Sequence, residues 1–178
     1  MDRPPPGYTI SPATRDDISA LIEVDLAAGQ LFAPTGLIAG EAIIDHVPPI
    51  VFEQAIDAGD VHKAHGAEGE PVGFALISPR GGTLYLDQIS VHPEHGRQGL
   101  GAALMHHVFR IARQRKLRRV TLSTFRDVPW NGPFYRRLGF RELSRQEMAD
   151  WMLDLESIQA ATLDVSKRCF MMRKIGWL

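Results

Sequence analysis

Two glycine-containing segments carry residues whose types and spacing could do chemistry. The first reads Gly96-Arg97-Gln98-Gly99-Leu100-Gly101 and lies between a predicted strand and a predicted amphipathic helix. Glycine lets the backbone approach a ligand, and the N–H groups of a helix's first turn have no partner inside the helix. These donors and the positive end of the helix dipole favour a phosphate or pyrophosphate. The alternative interpretation is a tight strand-to-helix turn that needs glycine for steric reasons alone.

The second segment is Asn131-Gly132-Pro133-Phe134-Tyr135, which is followed closely by Gly139-Phe140. Asn131 and Tyr135 are four residues apart and therefore share one face of a short helix. A phenol at that position can donate a proton to a leaving group that lies beside it. The alternative is that Tyr135 packs as an amphipathic aromatic side chain with its hydroxyl in water.

Alternation and turn residues predict the elements that position these segments. The predicted helices span about 15–29, 99–115 and 131–138, with weaker patterns at 36–47, 50–58 and 144–160. Thr14 and Asp17 predict a variant of the capping box at the start of the first helix. The predicted strands are 8–11, 61–67, 72–78, 83–91, 120–125, one beginning at Phe140, and 168–175.

Composition narrows the class of protein. The chain has 178 residues, 20 Lys+Arg against 21 Asp+Glu, and 44% hydrophobic residues, so we expect one soluble domain over 1–178, with 1–7 as a loose leader. The balanced charge argues against a nucleic-acid or membrane-surface binder. We expect no membrane partner, because no apolar stretch is long enough to span a bilayer or to form a secretory signal, and a cytoplasmic location follows. The seven histidines lack the spacing of a metal site, so no metal is expected.

Together, the two segments and the order of elements resemble the GNAT superfamily of acyl-CoA-dependent N-acetyltransferases. The family pattern is Gln/Arg-x-x-Gly-x-Gly/Ala after a strand, followed by Asn, Tyr and Gly-Phe further along. Gly96 departs from it, standing where the family has Gln or Arg, and Arg97 is expected to supply that charge. The resemblance implies an α/β (α+β) GNAT fold, with a mixed, mostly antiparallel central sheet of six to seven strands and helices on both faces.

The resemblance also implies roles for individual residues. Acetyl-CoA would be the co-substrate, with its pantetheine arm along the fourth strand and its pyrophosphate on the glycine loop. Tyr135 would protonate the departing thiolate. The cofactor-binding residues would be Ile89, Ser90, Val91, Arg97, Gln98, Gly99, Leu100, Gly101, Ala102, Asn131, Phe134 and Arg137.

The base and the acceptor pocket are less specified. Asp87 lies in the middle of an otherwise apolar strand, where a carboxylate is costly unless it is solvated, paired or used. We therefore consider Asp87 as the catalytic base or as the anchor of a cationic substrate, with a hydrogen-bonded structural aspartate as an equal alternative. Glu23, Phe32 and Trp130 are the candidate substrate-binding residues.

The function expected from the resemblance is transfer of an acetyl group from acetyl-CoA to a primary amine of a small molecule, by direct attack in a ternary complex. One alternative is an N-acetyltransferase acting on proteins or peptides. Another is a non-catalytic acyl-CoA sensor of the same fold. The resemblance also admits a homodimer, although no residue demonstrates one.

Overall fold

The structure, a computed structural model, describes residues 3–38 and 45–176. Within these ranges the chain forms seven strands and five α-helices, together with short 3₁₀ turns. The strands are β1 (Thr9–Pro12), β2 (Val61–His65), β3 (Pro71–Arg80), β4 (Thr83–Val91), β5 (Arg119–Phe125), β6 (Arg141–Glu142) and β7 (Arg168–Lys174). The helices are α1 (Ile18–Gly29), α2 (Pro49–Asp57), α3 (Leu100–Gln114), α4 (Gly132–Arg137) and α5 (Asp150–Gln159).

The strands form one open, mixed sheet in the order β1-β2-β3-β4-β5-β7-β6. β4 and β5 are parallel, and α3 connects them, whereas β1–β2, β2–β3, β5–β7 and β6–β7 are antiparallel pairs. A two-residue turn joins β3 to β4, and both of its residues, Gly81 and Gly82, have the positive φ that a type I′ hairpin turn requires. The predicted fold class, a mostly antiparallel mixed sheet with flanking helices, is confirmed.

The chain divides into two compact units. The N-terminal unit comprises Met1–Ser78 and Asp87–Arg110, and the C-terminal unit comprises Pro79–Leu86 and Ile111–Leu178. The predicted glycine loop belongs to the N-terminal unit, and the Asn131–Tyr135 segment belongs to the C-terminal unit.

The core of the N-terminal unit lies on both faces of β3. Phe74 packs edge-on against Phe52 of α2, with ring centroids 5.3 Å apart, in a cluster that includes Leu21 of α1. On the opposite face, a side chain at Gly73 would come within 3.5 Å of Leu104 in α3. Adjacent residues of a strand point to opposite faces, so the apolar faces of these helices cover both sides of the strand.

The start of the first helix follows the predicted capping box. Thr14 N–H and Oγ1 donate to the carboxylate of Asp17 at 2.8 and 3.1 Å, and a 3₁₀ turn over Arg15–Asp17 leads into α1, which ends at Gly29 as expected. Lys63 of β2 donates to the same carboxylate at 2.6 Å. The Lys63 ammonium and the Thr14 donors hold the pKa of Asp17 below its usual value, although burial acts in the opposite direction.

The three weaker helical patterns of the sequence agree with the structure to different extents. The 50–58 pattern corresponds to α2, and the 144–160 pattern contains a 3₁₀ turn over Arg145–Glu147 followed by α5. Residues 30–35 form a further 3₁₀ turn, which ends at Gly36 in the left-handed region. Residues 39–44, half of the predicted 36–47 helix, lie outside the described residues, and the described residues 36–38 and 45–47 are not helical.

A histidine pair joins β2 to α3 within the N-terminal unit. Nε2 of His107 lies 3.0 Å from Nδ1 of the buried His62, and Arg110 donates to Nδ1 of His107. Since Arg110 can only donate, the His107 proton resides on Nε2 and points at His62. Burial, reinforced by His62 and Arg110, lowers the pKa of His107 from 6.5 to about 4.

We predict that the native state loses stability as the pH falls from about 6.5 towards 4. Over that interval the unfolded chain binds a proton at His107 and the folded chain does not. Because His107 is partly solvent-exposed, the expected loss is reduced to about 1–2 kcal/mol. Urea unfolding between pH 4 and 8 measures it. His107→Asn should flatten the profile, whereas the control His46→Asn should not, and an unchanged slope in His107→Asn would contradict the assignment.

Candidate active site

The predicted glycine loop precedes α3 in the N-terminal unit. The first hydrogen bond of this helix runs from Ala103 N–H to the Gly99 carbonyl at 3.0 Å, so the N–H groups of residues 100–102 precede the helical ladder. Gly99 has φ 87°, which favours glycine, but Arg97 also occupies the left-handed region, at φ 59°. Strain of this kind in a non-glycine residue is concentrated at functional sites. The loop therefore presents a row of backbone donors and an exposed arginine in a conformation with an energetic cost.

Residues near the N-terminus contact this loop. The Tyr8 hydroxyl lies 2.8 Å from Nδ1 of His95 and donates to Oε1 of Gln98 at 3.2 Å. One hydroxyl proton cannot serve both acceptors, so His95 donates from Nδ1 while Tyr8 donates to Gln98. A side chain at Gly99 would lie 3.8 Å from the ring of Pro5. Tyr8 thus helps to position the loop, a role for which the sequence offered no signal.

The C-terminal half of β4 places the predicted base beside a hydroxyl. Ser78 Oγ donates to Asp87 Oδ2 at 2.6 Å, and Asp87 is half-buried. This contact supports the alternative of a hydrogen-bonded aspartate without removing the carboxylate from solvent. The N–H of His92, just beyond β4, donates to the Val72 carbonyl at 2.8 Å and is therefore already engaged.

A buried carboxylate on α1 tethers the same strand. Oδ1 of Asp25 accepts hydrogen bonds from Gln88 Nε2 at 2.8 Å and Ser90 Oγ at 2.7 Å, and Oδ2 accepts from the Val47 N–H at 2.9 Å. Asp25 is only 4% exposed. Glu23, the predicted acceptor-site residue on this helix, is exposed to solvent. Ser90 contributes its side chain to this network, which leaves only its backbone for a ligand.

The second predicted segment forms α4 in the C-terminal unit. Tyr135 N–H donates to the Asn131 carbonyl at 3.0 Å, so both residues belong to one helical turn as predicted. Gly132 has no room for a side chain, because a Cβ there would overlap the carbonyl oxygen of Arg126. The amide oxygen of Asn131 is buried and has no hydrogen-bond donor among the residues that the structure describes.

Tyr135 lies among aromatic rings. It is 4% exposed and packs edge-on against Phe134 and Phe140, with centroids 5.1 and 5.6 Å away. Burial, reinforced by Tyr85, raises the pKa of the Tyr135 phenol well above its ordinary value, and Arg168 opposes that rise. Tyr135 consequently stays protonated throughout the neutral range.

The other predicted residues fall into two groups. Exposed residues are Arg97, Gln98, Gly99, Trp130 and Arg137; partly or fully buried ones are Phe32, Ile89, Val91, Leu100, Gly101, Ala102 and Phe134. The exposed group belongs to turns or to the outer side of α4, which is where side chains can meet a ligand. Sequence reasoning missed Asp25 and Tyr8, whose contacts are described above, and Arg168, which opposes the rise in the Tyr135 pKa.

Two general features concern metals and membranes. Residues 3–38 and 45–176 contain no cluster of three or more His, Cys, Asp or Glu side chains arranged to hold a metal ion. No helix in those ranges combines the length and the apolar character needed to cross a bilayer.

Solved structures share this fold. The PaiA N-acetyltransferase from Thermoplasma acidophilum, solved with coenzyme A, matches with TM-score 0.72 and 16% identity, covering 94% of this chain and 98% of that one. A GNAT-family acetyltransferase from Staphylococcus aureus Mu50 gives 0.69 and 17%, with coverage of 95% and 99%. The ribosomal-protein-S18-alanine N-acetyltransferase from Escherichia coli gives 0.62 and 18%, with 96% of each chain covered.

An open mixed sheet, a glycine loop at the start of α3 and the Asn131–Tyr135 turn define the acetyltransferase class of fold. The family model for the acetyltransferase (GNAT) family matches residues 41–140, which is more than half of the chain. The chain belongs to the GNAT acetyltransferase family. This confirms the resemblance and supports an acyltransferase with a CoA-based co-substrate.

We predict that Asp25→Ala destabilises the protein by about 2–4 kcal/mol, because it leaves three hydrogen-bond donors without their acceptor. Chemical unfolding compares it with Glu23→Ala, which removes an exposed carboxylate from the same helix and should change stability by less than about 0.5 kcal/mol. Equal losses in the two variants would show that the buried network contributes nothing specific.

A second expectation concerns Gly132. Gly132→Ala forces the start of α4 away from the Arg126 carbonyl, so we expect a loss of about 2 kcal/mol and a fall in Tm of about 4–8 °C. Calorimetry should show almost no change for Gly176→Ala, whose new methyl group would meet nothing within 4 Å. A Tm for Gly132→Ala within 1 °C or so of the parent would refute the steric argument.

Proposed function

We propose that the protein is an acetyl-CoA-dependent N-acetyltransferase that modifies a primary amine of a small molecule. The single observation that carries this proposal is the start of α3, where backbone N–H groups follow a loop held in left-handed conformations. A pyrophosphate is the kind of ligand that such donors and the helix dipole bind. Membership of the GNAT family supports the same ligand. On this proposal, residues 1–178 act as one catalytic domain.

The N-terminal unit would hold most of the coenzyme. Residues Leu100 to Ala102 would donate their N–H groups to the pyrophosphate, assisted by Arg97 and Gln98. The parallel ladder joins Leu84–Leu86 to Val120–Leu122, and β4 continues past its last pair to Val91. The backbone of Ile89 and Val91 would pair with the pantetheine amides in the manner of an added strand.

The C-terminal unit would contribute an amide and an arginine. The buried Asn131 oxygen fits a pantetheine N–H, because a buried acceptor without a donor is costly and a ligand would satisfy it. Phe134 would pack against the pantetheine arm, and the exposed Arg137 would meet the adenosine 3′-phosphate. The predicted coenzyme ligands are therefore chemically suited to the group.

Two proton transfers complete the proposed reaction. Acetyl-CoA would supply the activated acetyl thioester, and the acceptor amine must lose a proton because an alkylammonium with a pKa near ~10.4 is mostly charged at pH 7. Asp87, directly or through water, would accept that proton. Tyr135 would donate one to the departing thiolate, a role that its raised pKa permits because the phenol stays protonated.

The test is release of free thiol from acetyl-CoA in the presence of amines, polyamines, aminoglycosides and peptides. We predict turnover with a small amine, and a fall in kcat of about 10²–10⁴ for Tyr135→Phe. The KM for acetyl-CoA and the Tm should stay unchanged, because phenylalanine keeps the ring that packs against Phe134 and Phe140.

The outcomes of this assay distinguish the candidate functions from one another. Full activity in Tyr135→Phe would mean that the phenol only packs. Turnover confined to peptides would support the protein N-acetyltransferase alternative. Tight acetyl-CoA binding by calorimetry without turnover on any acceptor would favour the non-catalytic sensor, and absence of binding would refute all three.

A further inference from the structure

Arg168 is a charged residue in the C-terminal unit to which the proposed mechanism assigns no task. It begins β7 and pairs in register with Phe125, the last residue of β5. Its guanidinium lies 4.8 Å from the centroid of the Phe125 ring and donates to Ser123 Oγ at 3.2 Å. The Ser123 hydroxyl in turn donates a hydrogen bond to Oε1 of Gln159 in α5 at 3.1 Å. The acceptor of the Arg168 guanidinium is therefore a neutral hydroxyl.

The charge of Arg168 is not balanced by the protein. Among the residues that the structure describes, no Asp or Glu forms an ion pair with it, and its Nε is buried without a hydrogen-bond acceptor. Removal from water lowers the pKa of the guanidinium, with no carboxylate to oppose the shift. By contrast, the buried Asp25 carboxylate and the partly buried Asp17–Lys63 pair both have polar partners. A partly buried guanidinium without a carboxylate partner is costly in a purely structural position.

The surroundings of Arg168 indicate what would balance it. Tyr85 and Tyr135 are close enough for each to influence the pKa of Arg168 electrostatically, and Phe125 stacks beneath it. Trp151 and Phe170 complete an aromatic cluster with Tyr85, with centroid distances of 5.2 and 6.3 Å from the Trp151 ring. A single guanidinium surrounded by aromatic rings can bind one planar group that carries a single negative charge. A guanidinium binds a carboxylate in that way, through parallel N–H donors.

We propose that Arg168 binds the carboxylate of the acceptor, so that the substrate class is amines that also carry a carboxylate, such as amino acids. This inference rests on the proposed function, because it names the substrate class of the same site. Arg168 stands against the Phe125 ring at the end of β5, and a carboxylate held there would tether an acceptor in the same unit that carries Tyr135, the proposed proton donor. Arg168 keeps part of its surface exposed, which gives the ligand access to the guanidinium.

The experiment compares acceptors that differ only in charge. Glycine, β-alanine and 4-aminobutanoate are assayed for acetyl transfer beside their amides and beside aminomethylphosphonate, with wild type, Arg168→Met, Arg168→Lys and Arg119→Met. We expect wild type to favour an acid over its amide at least 10-fold in kcat/KM. Arg168→Met should lower kcat/KM for the acid by about 10- to 100-fold, through KM, and leave the KM of the amide unchanged. Arg168→Lys should restore only part of the kcat/KM for the acid, because an ammonium lacks the parallel N–H donors of a planar guanidinium.

The controls separate this inference from the parent proposal. Arg119 is an exposed arginine on β5, so Arg119→Met should behave as wild type. Acetyl transfer with equal efficiency to acids and amides, or a preference for the phosphonate, would overturn the carboxylate site while leaving the N-acetyltransferase intact. If wild type acetylates no amine, the proposed function fails, and calorimetry with N-acetylglycine and N-acetylglycinamide decides. Selective binding of the acid that Arg168→Met abolishes would support the carboxylate site. Binding of both compounds without selectivity would refute it.

A stability measurement distinguishes a ligand-binding arginine from a structural one. Arg168→Met removes a desolvated charge and keeps an apolar side chain of similar length, so its Tm should equal or exceed that of wild type. A Tm several degrees below wild type, together with unchanged selectivity between acid and amide, would show that Arg168 serves the fold alone.

Discussion

Removing a charged side chain from water is the constraint that organises both units of this protein. In the N-terminal unit the carboxylate of Asp25, a residue of α1, is buried and accepts three hydrogen bonds, two of which come from side chains on β4. The cost of its burial is offset only when Gln88 and Ser90 stand in register with the helix. This network therefore fixes where the C-terminal half of β4 lies relative to α1. In the C-terminal unit the partly buried Arg168 guanidinium has no carboxylate partner among the residues that the structure describes.

Backbone geometry supplies the second constraint, and it acts where the proposed coenzyme ligands lie. Gly99 takes a conformation that costs other residues free energy, and Arg97 takes one as well without being glycine. Gly132 admits no side chain, because the Arg126 carbonyl occupies the space. These positions set the first turns of α3 and α4, which carry the N–H donors and the Asn131–Tyr135 pair. Two short stretches of strained or crowded backbone thus determine the directions of the groups that would act.

The sequence predicted the regular elements well because alternation and caps are local signals. Thr83–Val91 was predicted with the bounds of β4, and Thr14 with Asp17 predicted the start of α1. Glu23 is among the predicted residues and Asp25 is not, although helical spacing from Leu21 places Asp25 on the apolar face and could have indicated the buried carboxylate. Arg168 could not have been found in this way, because its importance depends on which strands meet around β7. The contact of Tyr8 with the glycine loop joins residues 87 apart in sequence and left no local pattern.

The raised pKa of Tyr135 and the position of Asp87 together indicate that different residues would carry out the two proposed proton transfers. Burial raises the pKa of the phenol so far that it cannot serve as a base near neutral pH, whereas it can donate. Asp87 is half-buried and its carboxylate accepts a hydrogen bond from Ser78, so the proton acceptor proposed at this position is a carboxylate and not a phenol. An acid and a base with environments this different need not exchange roles during the reaction. If Arg168 holds the carboxylate of the acceptor, its charge also opposes the rise in the Tyr135 pKa, and binding the anion would reduce that opposition. The substrate itself would then keep the phenol protonated until the thiolate departs.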